Sequence, residues 1–217
     1  MQYICCIIEI KCMNFLNFRE KFFDLSVFTP DQVYTWHPGF DRNNFHRWIQ
    51  KGLIIRLRNG YYTFREFKSL PHYRFYFANK IYKPSYISLH SALAYYGLIP
   101  ESVVQITSVT TLKTENFVND IGEFTYKKIS RNLFFGYRTI ETDKNKSCLI
   151  AAPEKGIIDL LYLYPEYETE TELLQLRFDE DILEELIDRA NLLEMTERMN
   201  NKALSGRINK LIKAYGL

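Results

Sequence analysis

Apolar positions near the start of the chain recur with a helical period and then switch to a strand period. Phe15, Phe18, Phe22 and Leu25 fall three and four residues apart, so Asn14 to Val27 is predicted to form an amphipathic helix. Thr29-Pro30-Asp31-Gln32 announces a second helix, with Thr29 as N-cap, Pro30 in the first turn and Gln32 completing a capping box. His37-Pro38-Gly39 ends it, because Pro38 disfavours helix at the preceding residue and Gly39 supplies a turn. A third helix is expected from Arg42 to about Lys51, capped by Asp41 and stopped by Gly52, with Phe45, Trp48 and Ile49 facing inward. Leu53 to Arg58 and Tyr61 to Phe64 are β-prone runs around Asn59-Gly60, a strong hairpin signal.

Ser69-Leu70-Pro71 is the expected domain boundary. Beyond it, helices are predicted over Tyr73 to Ile81 and from Ser88, as N-cap, to Tyr96, where Gly97 ends the run. Val103 to Thr111, Glu123 to Ile129, Phe134 to Thr139 and Cys148 to Ala151 are expected strands, with turns at Asn119-Asp120 and Asp143-Lys144-Asn145. A helix opened by Pro153 carries Ile157, Ile158, Leu160, Leu161 and Leu163, apolar almost all round except Asp159. Glu154 and Lys155 are its first-turn residues, Glu154 favourable to the dipole there. Asp179 to Leu193 is expected as one amphipathic helix. The last, near Lys202 to Tyr215, turns Leu204, Ile208, Leu211 and Ile212 inward and Arg207, Lys210 and Lys213 outward.

The expected fold class is therefore α+β. A winged helix-turn-helix occupies 14–68, since helix, helix, helix, hairpin is the element order of that motif, and a larger mixed α/β domain occupies 71–217. Charge sharpens this division. The net charge is only +2, yet Arg42, Arg47, Lys51, Arg56, Arg58 and Arg65 are six bases with no acid among them. Between Glu166 and Glu194 eleven acids face only Arg177 and Arg189, so that half is suited to a protein partner or to solvent and not to a polyanion. On the third helix the face opposite Phe45 and Trp48 displays Arg42, Asn43, His46, Arg47 and Gln50, with Lys51 at its margin. Arginine pairs with guanine and Asn or Gln with adenine in the major groove, while Arg56, Arg58 and Asn59 at the hairpin tip are placed for phosphates. Double-stranded DNA is the partner these residues imply; a merely solvated face would mix both signs.

Four cysteines, Cys5, Cys6, Cys12 and Cys148, lack paired spacing and companion histidines, so no metal is expected and the thiols should be reduced in a cytoplasm. Met1 to Cys12 is apolar but interrupted by Glu9 and Lys11, too short to span a bilayer and without signal-peptide features. No membrane association is expected. The extension at 1–13 has no continuity with Phe15 onward, so translation is expected to begin at Met13; the alternative is an extra strand packed on the winged helix.

Phosphate loops of the GxxxxGK[ST] and GxGxxG kinds are absent from the sequence, and His37, His46, His72 and His90 have no ligand-spaced companions. No catalytic residue or cofactor is expected. Ser108, Thr110, Thr111, Lys113 and Thr114 form a hydroxyl-rich strand and turn whose lysine could cradle a phosphate or meet a partner; a half-exposed threonine-rich strand is the competing reading.

The runs PSYISLHSALAYYGLIPE (Pro84 to Glu101), ITSVTTLKTENF (Ile106 to Phe117), GEFTYKKI (Gly122 to Ile129), LFFGY (Leu133 to Tyr137) and APEKGIIDLLYL (Ala152 to Leu163) together resemble the AbiEi family of antitoxins. That resemblance, in order over about Phe15 to Leu193, implies a type IV toxin-antitoxin system from abortive infection, a phage defence. It implies an N-terminal winged helix that represses the operon promoter; because a lone winged helix buries only a modest interface, two copies are expected on inverted repeats in the chain's own promoter, with a dimer possible on DNA. It further implies a C-terminal domain that counteracts a nucleotidyltransferase-like toxin. It supplies no catalytic residue. The alternative is a winged-helix regulator whose larger domain binds a small ligand or acts on a partner by phosphoryl transfer.

Overall fold

The computed structural model describes residues 13–100, 105–143 and 145–217. The expectations for Met1 to Cys12 therefore lie outside the described residues, as do Val103 and Val104 of the strand expected there and Lys144 of the expected turn. The chain divides into two compact units, one ending at Phe67 and one running from Lys68 to Leu217. Among the described residues, ten α-helices and two β-sheets make this a mixed α+β chain.

In the first unit, helix α1 spans Phe15–Phe22, and the Asn14 Oδ1 caps it by accepting from the Asn17 N–H at 2.9 Å. It stops short of the expected Val27. A 3₁₀ turn takes Phe23–Leu25, Ser26 adopts φ 61, and Val27–Phe28 forms strand β1, paired with Thr63 and Tyr62. Periodicity alone runs through this region because Leu25 keeps the helical spacing; pairing with a distant strand overrides it. Helix α2 spans Pro30–Trp36 and carries the complete Thr29/Gln32 capping box. Helix α3, Asn43–Gln50, begins one residue later than expected: Arg42 is the N-cap, without a side-chain capping bond, and Asp41 caps from one position further back, its Oδ1 accepting from the Asn43 N–H at 2.9 Å. Gly52, at φ 65, follows the helix.

Strands β2 (Ile54–Arg58) and β3 (Tyr61–Phe64) form the hairpin, and the antiparallel sheet runs β1-β3-β2. Gly60 has φ 79 whereas Asn59 has no positive φ, and the register shifts between Arg56 and Arg58, so the tip is a bulged turn. Alternation in β2 buries Ile55 and Leu57 and exposes Arg56. The core is a cluster of aromatic rings centred on Phe18, which is fully buried and lies 4.9 Å from the Phe22 ring, 5.1 Å from Phe28 and 4.5 Å from Trp48, centroid to centroid.

In the second unit, helix α4 (Tyr73–Ile81) precedes a short strand β4 (Ser85–Ile87) and helix α5 (Leu89–Tyr95). Strands β5 (Ile106–Thr110), β6 (Glu115–Asn119), β7 (Gly122–Lys128), β8 (Tyr137–Asp143) and β9 (Lys146–Ala151) complete a six-stranded sheet in the order β6-β7-β5-β4-β9-β8. The pairs β5/β7 and β4/β9 are parallel and the rest antiparallel. Helices α6 (Pro153–Leu163), α7 (Glu170–Leu174), α8 (Glu180–Leu186), α9 (Arg189–Arg198) and α10 (Lys202–Tyr215) follow.

Several expectations are corrected here. The strand expected from Phe134 begins only at Tyr137, because Phe134 leaves a 3₁₀ turn and Gly136 sits at φ 71. Strands β4 and β6 and helix α7 were not foreseen. β4 has three residues, and its partners lie far along the chain. The single helix expected over Asp179 to Leu193 is two: Ile187 is extended, and the Asp188 carboxylate starts α9 by accepting from the Ala190 and Asn191 N–H groups at 2.8 and 3.4 Å. Ser88 stands at the N-cap of α5 but makes no capping bond. Arg207, expected outward, is buried and reaches Glu168 at 3.1 Å.

The sheet has a different helix layer on each face. Phe124 and Tyr126 of β7 are buried on the α4 side, where the Tyr126 hydroxyl donates to the Ala78 carbonyl at 2.7 Å. Thr107 of β5 faces the other layer and accepts from the Ser91 N–H of α5 at 3.1 Å. There α5 packs on α6, and α6 packs on α9 and α10.

Candidate nucleic-acid interface

The inward anchors of α3 fix its outward face. Phe45 and Trp48 are buried and Ile49 half-buried, which leaves Arg42, Asn43, His46, Arg47, Gln50 and Lys51 exposed together on one side. This face gathers two arginines, a lysine, and the two amide types that can pair bidentately with adenine. On β2, Arg56 is exposed and Arg58 half-buried, its guanidinium 5.1 Å from the Tyr61 ring; Asn59 is exposed at the tip.

One contact alters the electrostatics expected of this face. Asp41 lies just before the acid-free stretch and folds onto it: its Oδ2 accepts from Arg47 Nη2 at 2.7 Å, and the same nitrogen donates to Asn44 Oδ1 at 2.8 Å. Arg47 is thus tied to acceptors of its own segment. An exposed pair of this kind is worth only about 0–1 kcal/mol, so a phosphate or a guanine edge can displace Asp41 at small cost.

The hydroxyl-rich segment of the second unit is dispersed. Ser108 and Thr110 are buried, and Thr110 Oγ1 donates to the Pro84 carbonyl at 2.7 Å while accepting from the Leu112 N–H at 3.1 Å. Thr111 is half-buried. Lys113 is exposed and paired with Glu115 at 2.5 Å, which raises its pKa, and Thr114 Oγ1 accepts from the Lys128 N–H at 3.2 Å. The Thr110 and Thr114 hydroxyls serve nearby backbone groups, the Ser108 hydroxyl is buried without a hydrogen-bond partner among the described residues, and the lysine already has an acid.

Five of the eleven acids from Glu166 onward are also occupied. Glu168 accepts from Arg207 at 3.1 Å and Lys210 at 2.8 Å, and those hydrogen bonds, Lys210 first, hold its carboxyl below the ordinary range. Glu170 pairs with Lys213 at 2.6 Å, Glu172 closes the α7 capping box, and Asp179 and Asp188 cap α8 and α9.

What sequence reasoning missed is a buried charged cluster behind α6. Lys155 and Asp159, both fully buried, form an ion pair one helical turn apart. The other Asp159 oxygen accepts from the Tyr86 hydroxyl at 2.9 Å and the Ser88 hydroxyl at 2.8 Å, which is why Ser88 does not cap α5. Burial, then the Asp159 charge, pushes the Tyr86 phenol well above its ordinary value. The Lys155 ammonium also lies 5.0 Å from the Phe135 ring. Gly136 is required beside it, since an added Cβ would stand 3.0 Å from Lys155 Cγ. The spacing of Lys155 and Asp159 was visible as an i, i+4 pair, but its burial was not. Being closed to solvent, the cluster orders the fold and offers no surface to a substrate.

Among the described residues there is no helix long and apolar enough to cross a membrane, and no group of three or more His, Cys, Asp or Glu that could hold a metal. Cys148 is buried, which pushes its thiol up to about 12. Neither the family models nor the curated proteins compared with the chain give a match.

Proposed function

We propose that the first unit is a winged helix-turn-helix that binds double-stranded DNA in the chain's own promoter, and that the whole chain acts as an AbiEi-like repressor and antitoxin. The observation that carries the DNA reading is the exposed side of α3, where Arg42, Asn43, His46, Gln50 and Lys51 stand together above a buried Phe45/Trp48 anchor. In this reading α3 enters the major groove, and the tip at Arg56, Arg58 and Asn59 lies along the neighbouring backbone. A single module of this size buries roughly 600–1,000 Å², so two copies on an inverted repeat are needed for tight binding. The antitoxin part rests on the resemblance of the second unit's sequence runs, and its partner is a nucleotidyltransferase-like toxin encoded beside it. A reduced, cytoplasmic setting follows from that role.

The test is a mobility-shift titration of the promoter at two salt concentrations. Gln50→Ala should weaken promoter binding while relaxing sequence preference at one position; Arg56→Ala should weaken all sequences and reduce the log-log salt slope by about one. If wild type binds random DNA as tightly as the promoter, the recognition role of α3 is wrong. Co-expression with the adjacent toxin tests the second half: residues 71–217 should be required for rescue of growth, and rescue by 14–68 alone overturns that division.

A further inference from the structure

On the α5/α6 side of the sheet, the helix layer leaves a cleft of about 640 Å³. Its floor is the parallel pair β5/β7, where Thr107 lies beside Thr125 and where Lys127 follows two residues on. Strand alternation explains the placement: Phe124 and Tyr126 are buried toward α4, so Thr125 and Lys127 point the opposite way. Its walls include His90 from α5, Tyr164 and Tyr167 after α6, and Gln175 after α7.

The lining is organised. The Gln105 amide nitrogen donates to Thr125 Oγ1, and Thr125 donates on to Asn116 at 3.3 Å, which leaves the Gln105 carbonyl oxygen as a fixed acceptor. The Lys127 ammonium lies 5.6 Å from the Tyr164 ring, and among the described residues it makes no ion pair. The His90 ring meets the same Tyr164 ring edge-on, with centroids 5.8 Å apart. The backbone that delivers His90 is itself unusual. Leu89, fully buried, has φ 57, a region a leucine adopts only when its surroundings enforce it. That corner sends Ser88 to the buried Asp159 and His90 into the cleft.

We propose that this cleft binds a nucleoside monophosphate. One cation without an acid suits one phosphate, the tyrosine rings suit a flat base, and the Gln105 and Gln175 amides suit the donor and acceptor edge of that base. The volume lies within the range of pockets for small ligands. The proposal is independent of the DNA reading, because every residue in it belongs to the second unit.

The experiment is calorimetric titration of the full chain with the monophosphates of adenosine, guanosine, cytidine and uridine, with the four parent nucleosides, and with inorganic phosphate. At least one monophosphate should bind, about tenfold or more tighter than its nucleoside, with phosphate alone weaker than either. Lys127→Met should abolish the preference of nucleotide over nucleoside, and Lys127→Arg should retain it. Lys128→Met, one residue on and exposed, should bind as wild type does. Melting curves of each variant show that the fold is kept. Absence of binding by all four monophosphates, binding of phosphate as tight as that of the nucleotide, or an unchanged preference in Lys127→Met overturns the proposal.

Discussion

The charges at α3 and those of α6 each pair a basic side chain with an aspartate and do opposite things. On α3, Arg47 and Asp41 meet in solvent, with side chains 58% and 49% exposed, and their attraction is screened. On α6, Lys155 and Asp159 meet with neither exposed, where leaving water costs several kcal/mol per ion and only further hydrogen bonds and rings offset it. Tyr86, Ser88 and Phe135 supply those partners. The contrast teaches how to tell a charged group kept for a partner from one kept for the fold. The first is exposed and weakly held; the second is enclosed, with both carboxylate oxygens accepting hydrogen bonds.

The largest expected effect lies on the buried side. Asp159→Ala strands a lysine and two hydroxyls in the interior and should cost about 3–5 kcal/mol in urea unfolding. Arg42→Ala on the open face of α3 should shift stability by less than about 0.5 kcal/mol. Equal midpoints for these two variants would end the comparison.

On the exposed side the proposed DNA-binding role places the effect in binding instead. Asn43→Ala or Gln50→Ala should cost about 1–3 kcal/mol of promoter affinity at an unchanged melting temperature, provided that residue makes a bidentate base contact. A loss of affinity that tracks a loss of stability would assign these residues to folding.

Gly136→Ala sharpens the buried side further. It places a side chain at φ 71 and a Cβ against Lys155, for an expected loss of about 1–2 kcal/mol in the same unfolding measurement. Asp41→Asn sharpens the exposed side: it keeps an acceptor for the Asn43 N–H, removes the charge that ties Arg47, and should tighten promoter binding by about 0.2–1 kcal/mol.

The smallest effect is a pH dependence at the surface. Glu168 has a folded pKa held below its ordinary value of 4.5, so its stabilising contribution is complete above that value and is lost as pH falls through the lowered one. The melting difference between wild type and Glu168→Gln should therefore be present at neutral pH and close on acidification. A difference that widens toward acid would mean that another group carries it.

Local signals account for much of what could be read without coordinates. The Thr29/Gln32 box, Pro30, the Phe45/Trp48 spacing, the Asn59-Gly60 tip and Pro153 are each decided by neighbours within a few residues, and α2, α3, the hairpin and α6 stand close to where those signals put them. The polar makeup of the α3 face was equally legible, because helical spacing alone sorts inward from outward positions. Tertiary structure decided the rest. Strand β1 displaces the end of a helix because Val27 and Phe28 pair with Thr63 and Tyr62, and β4 is a strand only between β5 and β9. Asp188 ends one helix and starts another while the apolar spacing runs on unbroken. Lys155, Asp159, Tyr86 and Ser88 are ordinary surface residue types until the chain closes over them. Burial depends on what packs from elsewhere, and a local pattern carries no information about the surroundings that turn a lysine into part of the core.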